Sequence, residues 1–243
     1  MNDTEWQTRI DTAALYRLIA LEGWDDLIGT HVSARIPGDK HQFLLNPYGM
    51  LFEEITASSL LTIDIEGNQL NQSDYHYNEA GFTIHSAVHM HRPDVMFVIH
   101  LHTDYGVAVS CQAQGLKPMN QTAIAITSDL AYHDYEGVAT NLSERERLVE
   151  DLGNCNGLIL RNHGTMACGP NAGGAWQAIY RLEKACRYQI LAESGGAKTT
   201  TLSQDIVDSR KDVSSTEALR KRGEFIWPAL KRRLDRIDPS YQE

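Results

Sequence analysis

The feature that most constrains this chain is an apolar, β-prone run that ends in two histidines. Val95-Met96-Phe97-Val98-Ile99 leads directly into His100-Leu101-His102. A run this apolar, bounded by Arg92-Pro93 on one side, reads as a strand buried on both faces. Side chains alternate along a strand, so His100 and His102 leave the same face. Their Cα atoms are then about 6–7 Å apart, and two imidazoles can converge on one metal ion. Edge-face histidines hydrogen-bonded to neighbours are the plainer account, and the pair alone leaves both open. A second apolar strand, Gly157–Leu160, runs into Arg161-Asn162-His163-Gly164. A lone histidine there is ordinarily structural. Together, however, two buried strands deliver three imidazoles at their C-terminal ends, where α/β proteins commonly keep their sites. Three neutral imidazoles make a catalytic-type zinc site with one position open, and such an ion acts as a Lewis acid on a carbonyl or enolate oxygen.

The surrounding pattern alternates helices with short strands. Ala13–Glu22 has helical periodicity and stops at Gly23. His31–Ile36, Gln42–Leu45 and Leu60–Ile65 read as extended pieces punctuated by Pro37-Gly38, Asn46-Pro47 and Gly67-Asn68. Helices are expected at Ala80–His91, Asp104–Ala113, Ser143–Leu152, Ala172–Glu193 and Thr216–Asp235, the last interrupted at Pro228. Ser143 and Glu146 form a capping-box pattern at the start of theirs. Thr199–Gln204 is a polar loop, while Met166-Ala167 and Ala172–Trp176 read as core packing. No break in composition serves as a linker. Residues 1–243 therefore read as a single α/β domain with helices on both faces of a sheet, its core at about 8–195 and a helical tail at about 203–243.

Charge narrows the function classes. The 243 residues carry 22 Lys and Arg against 32 Asp and Glu, a net charge of −10. That balance argues against nucleic-acid binding, which runs on phosphate neutralisation. Residues 1–100 hold 5 basic and 14 acidic residues, so most of the excess negative charge lies there. The beginning is polar and acidic, unlike a signal peptide. No stretch approaches the roughly 20 apolar residues that span a bilayer. Four cysteines without a CxxC pair, Cys111, Cys155, Cys168 and Cys186, read as free thiols of a cytoplasmic protein.

His85 and His89 stand four apart on one helix face. No Glu follows His85, so this is not a zincin helix. His89 and His91 read as solvated or core-satisfied, whereas the helix of His85 leads directly into the His100 strand.

Five separated blocks occur in order: GTHVSARIPG (29–38), LLNPYGMLFEEI (44–55), NEAGFTIHSAVHMHRPDV (78–95), VIHLHT (98–103) and LILRNHGTMACG (158–169). In this the chain resembles the class II aldolase/adducin family over about residues 8–195. The resemblance implies a three-layer α/β/α sandwich around a mostly antiparallel sheet. It implies a homotetramer with sites at subunit interfaces. It also implies one divalent ion per chain on His100, His102 and His163, with Zn²⁺ expected ahead of Mn²⁺ or Co²⁺.

The chain departs from the sugar-phosphate members of that family. Their phosphate-holding GN segment, Ser/Thr-Gly turn and Ser-Ser pair are matched here by Thr30-His31, Tyr48-Gly49 and Glu79-Ala80. Their acid/base Glu is matched by Gly81. His31, Tyr48 and Gly49 are thus the expected substrate-binding residues, and phosphorylated sugars are not the expected substrates. The NxAGFxIHxAxH block resembles the adducin-like branch, although the chain lacks the long basic tail of cytoskeletal adducins. The expected activity is that of a metal-dependent carbon–carbon lyase, a decarboxylase or aldolase, working through a metal-stabilised enolate on a small non-phosphorylated hydroxy or keto acid. Epimerase and dehydratase variants share that chemistry. His85 is the first candidate for the proton donor and Glu79 the second. The alternative is an adducin-like scaffold domain that keeps the metal site without turnover.

Overall fold

Strand β4 (Phe97–Leu101) carries the two histidines through the middle of a seven-stranded sheet. The computed structural model describes residues 2–38, 41–138, 141–209 and 215–243; Met1 and the 210–214 stretch of the expected tail lie outside the described residues. The other strands are β1 (His31–Arg35), β2 (Gln42–Leu45), β3 (Leu61–Asp64), β5 (Leu130–His133), β6 (Gly157–Leu160) and β7 (Gly164–Gly169). They lie in the order β3-β2-β1-β4-β7-β6-β5. Every neighbouring pair is antiparallel except β5 and β6. Because β7 stands antiparallel between them, β4 and β6 run the same way, and their C-terminal ends meet at one edge.

Alternation along the strands sorts the side chains into two layers. Val32, Ala34, Phe97, Ile99 and Leu101 join one core with α1 (Asp3–Leu21) and α6 (Ala172–Ser194). Val98, Met166 and Cys168 point the other way, onto α2 (Glu79–His91) and α5 (Glu144–Leu152). The result is the expected three-layer α/β/α sandwich. The remaining helices are α3 (Asp104–Ser110), α4 (Gln121–Thr127), α7 (Gln204–Asp208) and α8 (Thr216–Ile237). No helix among the described residues is long and apolar enough to cross a membrane. The four cysteines are free.

Three local readings change. Ser143 sits at the start of α5 but makes no side-chain capping bond. Its backbone is already helical, at φ −69 and ψ −16, whereas a capping hydroxyl needs an extended residue to reach back. Pro228 does not interrupt α8, which continues to Ile237. The proline is exposed, so the carbonyl it leaves unpaired meets water. Strands β5 and β7 and helix α4 have no counterpart in the sequence reading, and the GTMACG of β7 reads there as mere packing. Glycines at both its ends hide a strand that is wholly buried between β4 and β6.

The tail is held by a close helix crossing. A Cβ on Gly173 would come within 2.4 Å of the Gly223 carbonyl oxygen, and one on Gly223 within 2.3 Å of Asn171 Oδ1. Only hydrogens at these positions let α6 and α8 approach so closely. Gly223→Ala is therefore expected to destabilise the fold by about 1–3 kcal/mol through overpacking. Urea unfolding checks this, and an unchanged midpoint would contradict the crossing.

Candidate metal centre and active-site cavity

His100 pairs across the sheet with His31 of β1 and Met166 of β7. The two-residue period sends both imidazoles, together with Ser33, towards α2. His102 follows the last residue of β4. His163 is the third residue of the tight turn joining β6 to β7, where Asn162 takes φ +57. Asparagine tolerates that left-handed conformation better than most residues. The turn is tied down by the Asn162 N–H, which donates to the Ser110 carbonyl at 3.2 Å.

The three imidazoles meet at one point. The ring centroids of His100, His102 and His163 are each 4.8 Å from the other two. One ring nitrogen from each lies within 4.8 Å of the others, so the group can hold a metal ion. Two of the three outer nitrogens are already engaged. His100 Nδ1 lies 3.1 Å from the Thr165 carbonyl oxygen, and His102 Nδ1 lies 3.0 Å from Asp26 Oδ2. Each contact assigns the proton to Nδ1 and leaves Nε2 with its lone pair facing inward, 3.0 Å from the other. Burial, then the neighbouring His31 and His163 rings, hold His100 well below the usual imidazole pKa. Burial and the nearby His102 and His133 rings push His163 down to about 4. Both are neutral near pH 7, as metal ligation requires. The donor set therefore fits a divalent ion.

One carboxyl group braces this edge from behind. Glu183 of α6 is 4% exposed. Its Oε1 accepts a hydrogen bond from the Thr165 hydroxyl at 2.9 Å, and Oε2 accepts one from Thr103. Thr103 directly follows His102, and the carbonyl of Thr165 holds His100. Burial pushes the Glu183 carboxyl up to about 7, against the opposing pull of the two hydroxyls.

The centre opens into a cavity of about 520 Å³. His31, Tyr48, Asn78, Tyr135 and Asn162 share its wall with the three histidines. No lysine, arginine, serine, threonine or carboxylate lines it among the described residues.

A model of the class II aldolase and adducin N-terminal domain matches residues 10–190. The chain belongs to the class II aldolase/adducin family. It is 50% identical over 243 residues to the "Putative aldolase class 2 protein" of Caulobacter vibrioides, covering 100% of this chain and 95% of that one. An aldolase II superfamily protein from Pseudomonas syringae, solved by crystallography, superposes with a TM-score of 0.93 at 42% identity, over 100% of this chain and 98% of its own. The L-fuculose 1-phosphate aldolase of Glaciozyma antarctica gives 0.85 at 26% identity, over 98% and 93% respectively.

The residues expected to serve this family's site do not all reach the cavity. His31 and Tyr48 line it. Gly49 takes φ +107 in the turn beyond Tyr48, and a Cβ there would face the Tyr75 ring. It shapes the turn and is not on the wall. Glu79 is exposed at the first position of α2, although Asn78 and Ala80 on either side line the cavity. His85 is fully buried behind His31, with its Nε2 2.8 Å from His31 Nδ1. It touches the cavity only through that ring.

Gly81 explains the arrangement. A Cβ there would sit 2.7 Å from His31 Cδ2 and 3.0 Å from His31 Nε2. The imidazole thus fills the space a side chain at 81 would take, so His31 in this place and a side chain at 81 exclude one another. Asp26, Ser33, Tyr135 and Glu183 are absent from the sequence reading. Ser33 was legible by the two-residue period from His31; Asp26 and Glu183 are distant in the chain and carry no local signal.

His85 and His89 give a pH dependence. Burial lowers both, His85 well below its ordinary value and His89 to about 3, the latter helped by the Arg35 guanidinium. Both are neutral when folded, yet in the unfolded chain they take up protons below about pH 6.5. Their contribution to stability is complete above that pH and is lost as pH falls. Two such groups give a slope of about 2.7 kcal/mol per pH unit between roughly pH 6 and 4. Urea unfolding of chelator-treated protein at stepped pH should show at least this slope, and a flat profile would contradict neutral burial.

Proposed function

We propose that the protein is a metal-dependent carbon–carbon lyase acting on a small, non-phosphorylated hydroxy or keto acid. One observation carries this reading: three imidazole nitrogens converge at the wall of a cavity, two of them aimed by Thr165 and Asp26. A divalent ion held by His100, His102 and His163, Zn²⁺ in our reading, supplies electrophilic stabilisation of the negative charge that develops beside a carbonyl. His31 and Tyr48 bind and orient the substrate from the facing wall. The buried strand ends around His100 limit the access of water.

A phosphate dianion needs cationic partners, small hydroxyls or amide nitrogens close by. Apart from the ion, the described wall offers no lysine or arginine and no serine or threonine, and its side-chain amides are those of Asn78 and Asn162. Decarboxylation is preferred over aldol cleavage, because CO₂ leaves with no base to start it, whereas cleavage needs a base for the hydroxyl proton. No carboxylate on the described wall can act as that base, and Gly81 provides none. A second reading, a non-catalytic adducin-like domain that retains the centre, is favoured by the same lack of an acid/base carboxylate.

We further propose a cytoplasmic homotetramer. Opposite charge between the acidic first hundred residues and the later basic ones would help to orient the subunits. A monomer in light scattering across the micromolar range would defeat this.

His100→Ala is expected to lose most of its bound metal and retain the fold, and a full equivalent of metal in the variant would contradict the ligand set. A screen of 2-oxo and 3-hydroxy acids with metal-loaded protein tests the activity. Chelator-sensitive release of CO₂ is the expected result. An aldehyde product would favour the aldolase reading, and saturable cleavage of a ketose 1-phosphate would overturn the substrate class. Metal-indifferent protein without turnover would favour the scaffold.

A further inference from the structure

Behind the cavity lies a chain of four buried polar groups that no metal ligand requires. His89 Nε2 is 2.7 Å from Ser33 Oγ, Ser33 Oγ contacts His85 Nδ1, and His85 Nε2 is 2.8 Å from His31 Nδ1. His31, Ser33, His85 and His89 are each no more than 2% exposed. Each contact contains one proton, and Ser33, whose buried hydroxyl has no other partner among the described residues, donates in one contact and accepts in the other, so the chain runs in one direction or the other.

The far end decides between them. His89 Nδ1 is buried with no hydrogen-bond partner among the described residues. Were the protons to run inward from His31, the last one would sit on that nitrogen as an orphaned N–H. Run outward, the same nitrogen is a bare acceptor. Orphaned buried donors are rarer and costlier than under-satisfied acceptors. The aromatic ring of Phe43, stacked on His89 at 5.1 Å between centroids, offers no lone pair in the ring plane for such a donor. Burial beside Arg35 keeps His89 neutral, so it carries one proton only.

We propose that this chain holds His31 as its Nε2–H tautomer and so presents a fixed hydrogen-bond donor to a substrate carboxylate or carbonyl oxygen in the cavity. His89 Nε2–H donates to Ser33, the Ser33 hydroxyl donates to His85 Nδ1, and His85 Nε2–H donates to His31 Nδ1. His31 Nε2 then carries the remaining proton and has no hydrogen bond of its own among the described residues. His85 and Ser33 are positioning residues in this scheme, and His31 is the group that meets the substrate. The His31 ring packs closely over Gly81 of α2, which leaves no room for a Cβ there. The use of the donor rests on the reading of the cavity as a substrate site; the tautomer does not.

Two-bond ¹⁵N–¹H correlation spectra of the full chain, histidine-labelled and chelator-treated near neutral pH, measure the tautomer directly. His31→Gln identifies the resonances. The expected result is a pyridine-type Nδ1 and a protonated Nε2 at His31, with the Nε2–H tautomer also at His85 and His89. A protonated Nδ1 at His31 would overturn the proposal, whatever substrate is later found. In His85→Gln the glutamine can donate or accept, so His31 should lose its lock and show both tautomers. Retention of the wild-type tautomer alone in that variant would overturn the positioning role of His85. Since the wild-type spectrum is decisive by itself, misfolding of the variant does not spare the proposal.

Discussion

The pairing of β1 with β4 is the constraint on which the rest depends. It sets His31 opposite His100 and Ser33 opposite Val98, on the face turned towards α2. A slip of β1 by one residue would turn His31 and Ser33 into the apolar core that Val32 now fills. Burial then imposes a second demand, since polar groups deprived of water must bond to one another. His100 meets it through Thr165, His31 through His85, and His85 and His89 through Ser33. The histidine layer follows from one strand register together with this rule.

Stability and chemistry draw on the same bonds. The Thr165 carbonyl is a ladder element of β7 and also aims His100. Glu183 secures the two segments that leave the metal edge, although it stands on a helix across the sheet. Such backing makes the ligand nitrogens converge before any ion arrives, which lowers the ordering cost of binding one. Asp26 extends the principle to a loop, where its carboxylate orients His102.

Position 81 shows how closely two residues at this wall depend on one another. A glycine on α2 makes room for an imidazole from β1. A side chain at 81 would strike the His31 ring. The ring that Gly81 admits is backed by three more buried groups.

How much was legible differs from element to element. The sequence by itself determined β4, β6 and the existence of the long helices, and it marked His100, His102 and His163 at two strand ends, because periodicity and strand termination are local properties; the family resemblance joined the three into one set. It also determined that Gly81 lacks an acid/base side chain. It hid β7, whose flanking glycines resemble a loop but whose neighbours bury it completely. Only the tertiary structure decided that His31 fills the space over Gly81, that His85 reaches the cavity through His31 alone, and that Glu79 faces solvent. Asp26 and Glu183 likewise became visible only after folding, since Asp26 lies 76 residues from His102, and Glu183 lies 80 residues from Thr103 and 18 from Thr165. Contacts of that span are set by how layers stack, and no local pattern in the chain encodes them.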